Sequence, residues 1–427
     1  MDEKDFMKRA IELAKLGTGW THPNPLVGAV IVRDGRIIAE GYHHKCGDLH
    51  AERDALKNAA SNGTDVKGAT IYVTLEPCCH TGRQPPCTQA IIESGIKKVV
   101  VGSRDPNPLV NGGGVKVLRD AGIEVEQDFL KEECDKLNPI FFHYITHKMP
   151  YVILKYAMTA DGRTATVTGK SKWITGEEAR KNVHRTRASV AAVMTGIGTV
   201  KADDPLLTCR LDDGIEHHQP ERIVIDSNLA IPEESALIKS AKTSKVTVIF
   251  GYFNPHTSDR REWLYHQGVE TAASSLDENG RIDMKKVFES LAEWGIDSVL
   301  VESGGELAAS VLPYANEIHA YIAPKIFGGV SNIRVPIRGE GVDSPDDAAQ
   351  FSLDGVEKFG DDVLLKYKRK ALIDGEKDVH GNSRRNRRNR RNQAERRIAG
   401  TRHKMLVREG AFTRRERGGE RNLPHGH

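Results

Sequence analysis

Two successive α/β domains, followed by a basic segment too polar to fold, make the architecture this sequence predicts. Three observations carry that expectation. The chain has 427 residues, more than one ordinary core accommodates. Short β-branched runs alternate with amphipathic stretches, the mark of layered α/β sheets. Composition changes after residue 370, where apolar residues become sparse and arginine dominates.

Taken in order, residues 2–16 set Phe6, Met7, Ala10, Ile11 and Ala14 at helical spacing among charges. They read as an amphipathic helix and not as the apolar core of a secretory leader. Residues 27–32 are an apolar, β-branched run that stops at Asp34-Gly35, and residues 37–39 resume it, so a β-hairpin is predicted. Residues 50–60 are helical in character, 70–75 a buried-type strand, 88–94 a helix and 97–101 another buried strand. One more helix and strand end near 122–125, giving a three-layer α/β/α domain over 1–146. Pro139 and Pro150 flank an aromatic-rich connection that marks the boundary. A second α/β domain over 147–370 is predicted to hold strands at 151–157, 190–195, 222–226, 245–250, 298–302, 317–323 and 363–369, with helices at 177–189 and 284–294. Residues 371–427, with eight arginines interleaved with asparagine between 384 and 397, are expected to be disordered.

Composition narrows the function. The chain is 38% hydrophobic and 28% charged, with a net charge of +3 concentrated in the tail, as suits a soluble globular protein. No apolar run approaches the ~18 residues a membrane span needs, so a cytoplasmic protein without membrane partners is expected. Three of the six cysteines, Cys78, Cys79 and Cys87, fall within ten positions, a pattern that suits a metal site better than a disulfide framework.

The sharpest signal is His50-Ala51-Glu52, followed by Glu76-Pro77-Cys78 and then Cys87. One imidazole and two thiolates give Zn2+ three ligands and leave the fourth tetrahedral position open, as a catalytic site requires. Zinc brings the pKa of a water toward neutrality. Glu52, two residues beyond a ligand, is placed to carry a proton from that water to a departing amine without binding metal. The H-x-E element matches the zinc-deaminase signature, whereas the eight residues between the cysteines depart from its P-C-x-x-C element. Cys79 and His80 remain possible alternative ligands, and a closed structural zinc site is the bland alternative. In the second half no G-x-G-x-x-G opens a helix: Gly196-Ile197-Gly198 meets Lys201 at the third glycine place. A Rossmann site is therefore disfavoured. Ser303-Gly304-Gly305 before a helix is able to present backbone N–H groups to a phosphate.

Several motifs together resemble the bacterial bifunctional deaminase–reductase family of riboflavin biosynthesis, RibD. In the first half they are Pro23-Asn-Pro-Leu-Val-Gly-Ala29, Gly41-Tyr-His-His44, His50-Ala-Glu52, Leu75-Glu-Pro-Cys78, Pro85-Pro-Cys87 and Arg104-Asp-Pro-Asn-Pro108. In the second they are Ser171-Lys-Trp173-Ile-Thr175, Gly196-Ile-Gly-Thr-Val200, Ala202-Asp-Asp-Pro205, Val301-Glu302-Ser-Gly-Gly305 and Ala323-Pro-Lys325. The resemblance implies a cytidine-deaminase-like domain followed by a dihydrofolate-reductase-like domain. It implies zinc-dependent deamination of 2,5-diamino-6-(5-phosphoribosylamino)pyrimidin-4(3H)-one, then NADPH reduction of the ribosyl group to ribityl. By the same resemblance His50, Cys78 and Cys87 hold zinc, Glu52 is catalytic, and Asn24 hydrogen-bonds substrate. His43 and His44 are read as a solvated hairpin end. Ala157, Trp173, Thr199, Asp203, Ser227 and Gly304, Gly305, Glu306, Leu307, Ala308, Ala309 and Ser310 would line NADPH. Ser171, Arg187, Leu207, Arg210 and Glu302 would hold the pyrimidine ribotide, a guanidinium fork being suited to its phosphate. Lys155 and Asp203 are candidates for protonating or polarising the opened ribose. The family implies a homo-oligomer. An RNA-editing deaminase guided by the basic tail is the competing expectation, since an Arg/Asn run binds nucleic acid by counterion release; the cysteine gap and the complete reductase motifs argue against it.

Overall fold

The computed structural model describes residues 2–81, 84–252, 258–329 and 334–370; the tail expectation lies outside them. Two sheets organise the described residues. In the first, strands β1 (Gly28–Arg33), β2 (Arg36–Tyr42), β3 (Thr70–Leu75), β4 (Lys98–Ser103) and β5 (Glu124–Glu126) run in the order β2-β1-β3-β4-β5. β1 is antiparallel to β2 and β3, while β3, β4 and β5 are parallel. Asp34 and Gly35 both take positive φ, 50° and 71°, which is the twist a two-residue hairpin turn demands.

Helices α1 (Glu3–Lys15), α2 (Ala51–Ser61), α3 (Cys87–Glu93), α4 (Gly113–Asp120), α5 (Lys131–Asp135) and α6 (Pro139–His147) complete the first half. The period-two alternation of β1 explains the layering. Ala29 and Ile31 pack with Ala51, Ala55, Ile91 and Leu118 of α2, α3 and α4, whereas Val30 and Val32 pack with Phe6, Met7 and Ala10 of α1. Helix α1 starts at a capping box in which Asp2 accepts from the Asp5 backbone at 2.9 Å and Asp5 accepts from the Asp2 backbone at 3.0 Å.

The second half contains strands β6 (Tyr151–Thr159), β7 (Ala192–Gly196), β8 (Glu221–Ile225), β9 (Val246–Gly251), β10 (Val269–Ser274), β11 (Ser298–Glu302), β12 (Glu317–Ala323), β13 (Phe351–Phe359) and β14 (Asp362–Arg369). Their order is β10-β9-β8-β7-β11-β6-β12-β14-β13. All neighbours are parallel except the antiparallel β12/β14 and β14/β13 pairs. Helices α7 (Glu177–Ala188), α8 (Ile197–Asp203), α9 (Ala236–Lys239), α10 (Ser258–His266), α11 (Met284–Glu293) and α12 (Gly305–Val311) connect the strands. One face is closed by Met284, Val287, Phe288 and Leu291 of α11, the other by Leu237, Ile238 and Leu264 of α9 and α10. Both sheets belong to one compact unit, Met1–Glu340 with Phe351–Arg369. Gly341–Gln350 belong to a second unit, where Pro345–Asp347 make a 3-10 turn.

Two strands escape the sequence reading. β10 reads Val-Glu-Thr-Ala-Ala-Ser, with too few apolar residues to signal a strand. β13 leaves Leu353 and Val356 more than half exposed on a sheet edge, so no core-facing alternation marks it.

Arg222 at the start of β8 is fully buried and, among the described residues, meets no carboxylate. Its guanidinium donates to the carbonyls of Lys245, Leu206, Ser240 and Ser244 and to the Ser240 hydroxyl, and burial brings its pKa down to about 10. Arg222→Met should strand those acceptors and lower stability by about 2–4 kcal/mol, read as a lower urea midpoint. An unchanged midpoint would mean that the carbonyls find other donors.

Candidate active sites

The first site sits where β3, α2 and α3 present their ends. His50 is the residue preceding α2, in extended backbone. Cys87 opens α3, and Cys78 lies three residues beyond β3. The two segments are stitched together by the Thr88 N–H to the Cys78 carbonyl at 3.2 Å and the Cys87 N–H to Cys78 Sγ at 3.3 Å. His50 Nδ1 stands 3.6 Å from Cys78 Sγ and 3.4 Å from Cys87 Sγ. Two ligands of a tetrahedral zinc, one sulfur and one nitrogen, lie about 3.6 Å apart at normal bond lengths. The donor set therefore fits the ion, and these three are the group of metal-binding side chains found among the described residues. Cys79 turns away, its Sγ toward the Leu109 carbonyl at 3.7 Å. Among the described residues the cluster thus brings together three candidate ligands, His50, Cys78 and Cys87.

The pair of thiols is asymmetric. Hydrogen bonds from Cys87 and His50 hold the Cys78 thiol well below the ordinary thiol range, against the effect of burial. A lowered thiol pKa is what metal ligation needs. Glu52, 3% exposed in the first turn of α2, has its carboxyl pKa raised, first by burial and then by the neighbouring Cys78 charge.

A cavity of about 160 Å3 opens over these groups, lined also by Asn24, His43, His80, Asp105, Asn107 and Phe141. Asn24 and His43 face each other across 3.1 Å, and His43 Nδ1 lies 2.9 Å from the Leu49 carbonyl. His43, the residue after β2, is 2% exposed and lines the cavity, which corrects its reading as a solvated hairpin end: its ring is held inward between Asn24 and the Leu49 carbonyl. His44 stays at the margin, bonded to Asp54 at 3.1 Å. Asp105 and Asn107 carry no role in the sequence reading although their Arg-Asp-Pro-Asn-Pro motif was noticed. Burial raises the Asp105 carboxyl to about 6. Beneath the loop, Glu76 accepts from the Gly112 and Val115 backbones at 3.1 and 3.2 Å. A Cβ at Gly114 would come within 2.0 Å of the Pro77 carbonyl, so α4 can approach the metal loop only through a glycine.

The second site is built at the C-terminal ends of parallel strands. Glu302 closes β11, paired in register with Lys155 of β6. Arg187 of α7 grips Glu302 with two bonds, 2.6 and 3.1 Å, and Lys155 Nζ lies at 3.4 Å. Burial alone would raise the Glu302 carboxyl, but the charges of Arg187 and Lys155 outweigh it and hold it at about 2. Arg187 also donates to the Thr208 carbonyl at 3.1 Å, and the Arg210 N–H meets His184 Nδ1 at 3.2 Å. Arg187, Lys155, Glu302 and Arg210 are thereby drawn into one network. Leu207 is buried beside them in sequence, at φ 57°.

Among the residues expected to line NADPH, Asp203 is tied to Ser171, expected at the substrate, and Gly304 is tied to Thr199. Ser171 donates to Asp203 at 2.8 Å, and the Gly304 N–H donates to Thr199 Oγ1 at 3.1 Å. That N–H is therefore committed inside the protein, so a phosphate at the start of α12 would depend on the groups after it. Trp173 is 64% exposed rather than a core residue, with the Arg180 guanidinium 4.7 Å over its ring and its carbonyl bound by Lys325 Nζ at 2.8 Å. Gly305, Glu306, Leu307, Ala308, Ala309 and Ser310 lie in α12, Ala157 lies in β6, and the Ser227 carbonyl accepts from the Gly251 N–H at 3.2 Å.

A zinc-centred, three-ligand site with a buried carboxylate on one α/β sheet, followed by a second sheet with a cationic cluster around a buried glutamate, defines a two-domain deaminase–reductase. Comparison with known proteins identifies the family. Residues 150–365 match the RibD C-terminal domain and residues 1–103 match the cytidine and deoxycytidylate deaminase zinc-binding region. The riboflavin biosynthesis protein RibD of Actinobacillus pleuropneumoniae is 49% identical over 372 residues, spanning 86% of this chain and 95% of that protein. Its counterpart from Escherichia coli is 40% identical over 380 residues, spanning 86% and 99%. Among solved structures, the Thermotoga maritima diaminohydroxyphosphoribosylaminopyrimidine deaminase/5-amino-6-(5-phosphoribosylamino)uracil reductase matches with 41% identity and a TM-score of 0.75, covering 86% of this chain and 98% of that one. Acinetobacter baumannii RibD gives 37% identity and 0.75 over the same shares. The chain belongs to the RibD family: a bifunctional deaminase and reductase of riboflavin biosynthesis, dependent on Zn2+ and NADPH. Its folds are cytidine-deaminase-like and dihydrofolate-reductase-like, as the motifs implied. The nucleic-acid-editing alternative finds no support in these relatives.

Cys87→Ser should abolish stoichiometric zinc binding, measured as metal per chain, while leaving NADPH-dependent reduction intact. Full zinc retention in that variant would show that the ion sits elsewhere.

Proposed function

We propose that the first domain converts 2,5-diamino-6-(5-phosphoribosylamino)pyrimidin-4(3H)-one to 5-amino-6-(5-phosphoribosylamino)uracil, and that the second reduces the ribosyl side chain to ribityl. The observation that carries the reading is the convergence of His50, Cys78 and Cys87 on one point beside buried Glu52. When bound there, Zn2+ supplies the Lewis acidity that makes a water nucleophilic near neutral pH. Glu52 takes the proton from that water at its carboxylate and returns it to the leaving amine, so water enters, ammonia leaves and a carbonyl replaces the amino group. Asn24, bonded to His43, faces the cavity as a hydrogen-bonding group for the pyrimidine.

In the second domain Arg187, Arg210, Ser171, Leu207 and Glu302 are assigned to the ribotide. The dihydronicotinamide supplies one hydride to the opened ribose, matched by one proton for which Lys155 and Asp203 are the candidate donors. Ala157, Trp173, Thr199, Asp203, Ser227 and Gly304 to Ser310 are assigned to the cofactor. Fusing the two activities suits the chemistry, because the deaminated product keeps the phosphoribosyl group that the reductase needs. We read 1–146, 147–370 and 371–427 as the functional divisions. The protein is read as cytoplasmic, and as self-associating because its family is: among the described residues no disulfide joins two cysteines, and no helix is long and apolar enough to cross a membrane.

The test is to incubate zinc-loaded full-length protein with the diaminopyrimidine ribotide, with and without NADPH, and measure ammonia and ribityl product separately. Ammonia should appear in both arms and the ribityl product only with NADPH. Glu52→Gln should keep its zinc yet lose deamination by about 10²–10⁴-fold. Near-normal ammonia release from that variant would refute the proton-transfer role.

A further inference from the structure

The turn that carries Asn24 is held by the other domain. The Asn24 N–H bonds back to the Thr21 carbonyl at 2.7 Å, which places His22 and Pro23 at the centre of a tight turn. His22 Nδ1 lies 2.8 Å from the carboxylate of Asp297, and its Nε2 lies 3.1 Å from the Ser189 carbonyl. Both partners are acceptors, so both ring nitrogens carry protons and the imidazole is cationic. Burial opposes that state, but the hydrogen bond and charge of Asp297 outweigh it and raise the His22 pKa. Asp297 is 1% exposed and takes a further bond from the Ser298 hydroxyl at 2.8 Å.

The turn is braced on either side of the clasp, by the second domain before it and by the first domain's own Asn138 after it. Gly19, at φ 83°, lies so close to α7 that a Cβ would come within 2.0 Å of the Ala188 carbonyl. Trp20 meets the ring of His218 edge-on at 5.8 Å. On the far side of the turn the Asn138 side chain pairs with both the N–H and the carbonyl of Leu26, at 2.8 and 2.9 Å. The segment from Gly19 to Leu26 is thus fixed outside the deaminase sheet, and it delivers Asn24 to His43 and the cavity.

We infer that His22 and Asp297 are positioning residues for deamination: the reductase domain, through this ion pair, sets the pose of Asn24 in the first active site. The inference rests on the reading of the cavity as the pyrimidine site. It does not involve the reductase chemistry, because Asp297 precedes β11 and Glu302 ends it, about 16 Å apart along an extended strand.

The experiment uses the zinc-loaded full-length chain with the diaminopyrimidine ribotide, following ammonia release, and with the deaminated ribotide and NADPH, following reduction. Asp297→Ala should raise the deaminase KM about 10- to 100-fold, the scale of a lost charged hydrogen bond or a small misplacement. Deaminase kcat, zinc per chain and both reductase constants should stay within about twofold, since no group the clasp touches enters those steps. His22→Leu should match it, His22→Asn, which keeps one donor, should fall between, and the double variant Asp297→Ala/His22→Leu should be no worse than either single change. A deaminase KM unchanged in both single variants would overturn the inference. So would a loss shared equally by kcat, zinc content and reduction, which would mark a merely structural pair. If the unaltered protein released no ammonia from the ribotide, the functional reading itself would fall, whatever the variants did.

Discussion

Three donors from separate stretches of chain must meet within a few ångströms, and a carboxylate must be buried beside them. That constraint organises the first domain. His50 and Cys87 can be brought together only because α2 and α3 both begin at the same edge of the sheet, and Cys78 joins them because β3 ends there. The Glu76 carboxylate and the missing side chain of Gly114 let α4 brace the intervening loop from below. Burial raises the pKa of the Glu52 carboxyl, and a carboxyl perturbed in this way beside a cluster of metal-ligating side chains is a mark of functional sites.

The second domain solves the opposite problem. Glu302 is equally buried but lies between Arg187 and Lys155, so it remains charged. Burial and the Cys78 charge raise the Glu52 carboxyl, whereas the cations that α7 and β6 bring to Glu302 outweigh its burial and hold its carboxyl down. Removing a partner from a buried pair of this kind leaves an uncompensated charge, which is why the cationic network around the ribotide site and the stability of its sheet are hard to separate.

The sequence made much of this legible, for identifiable reasons. The hairpin was readable because Asp34-Gly35 is the turn chemistry that two positive φ angles require, and the central strands because they are buried on both faces. The convergence of His50, Cys78 and Cys87 beside Glu52 was readable because residue type and spacing together suit one metal centre. What escaped depends on long-range contact. The burial of His43 follows from its bonds to Asn24 and to the Leu49 carbonyl at the cavity, and nothing at His43 itself announces it. Asp105 and Asn107 reach the cavity through a loop whose direction is set by α4. Arg222 resembles any charged residue at a strand start until four carbonyls are found around it, and Asp297 and His22 are 275 positions apart. Trp173 stands exposed under the Arg180 guanidinium, a placement its sequence neighbours do not announce.

The most direct measurement is zinc-edge X-ray absorption on the metal-loaded, substrate-free protein. The account predicts two sulfurs near ~2.3 Å, one imidazole nitrogen and one further light atom near ~2.0 Å, with the light atom unchanged when Cys79 and His80 are replaced. A third sulfur, or a second imidazole, would mean that the protein closes the ion off and would contradict an open catalytic metal.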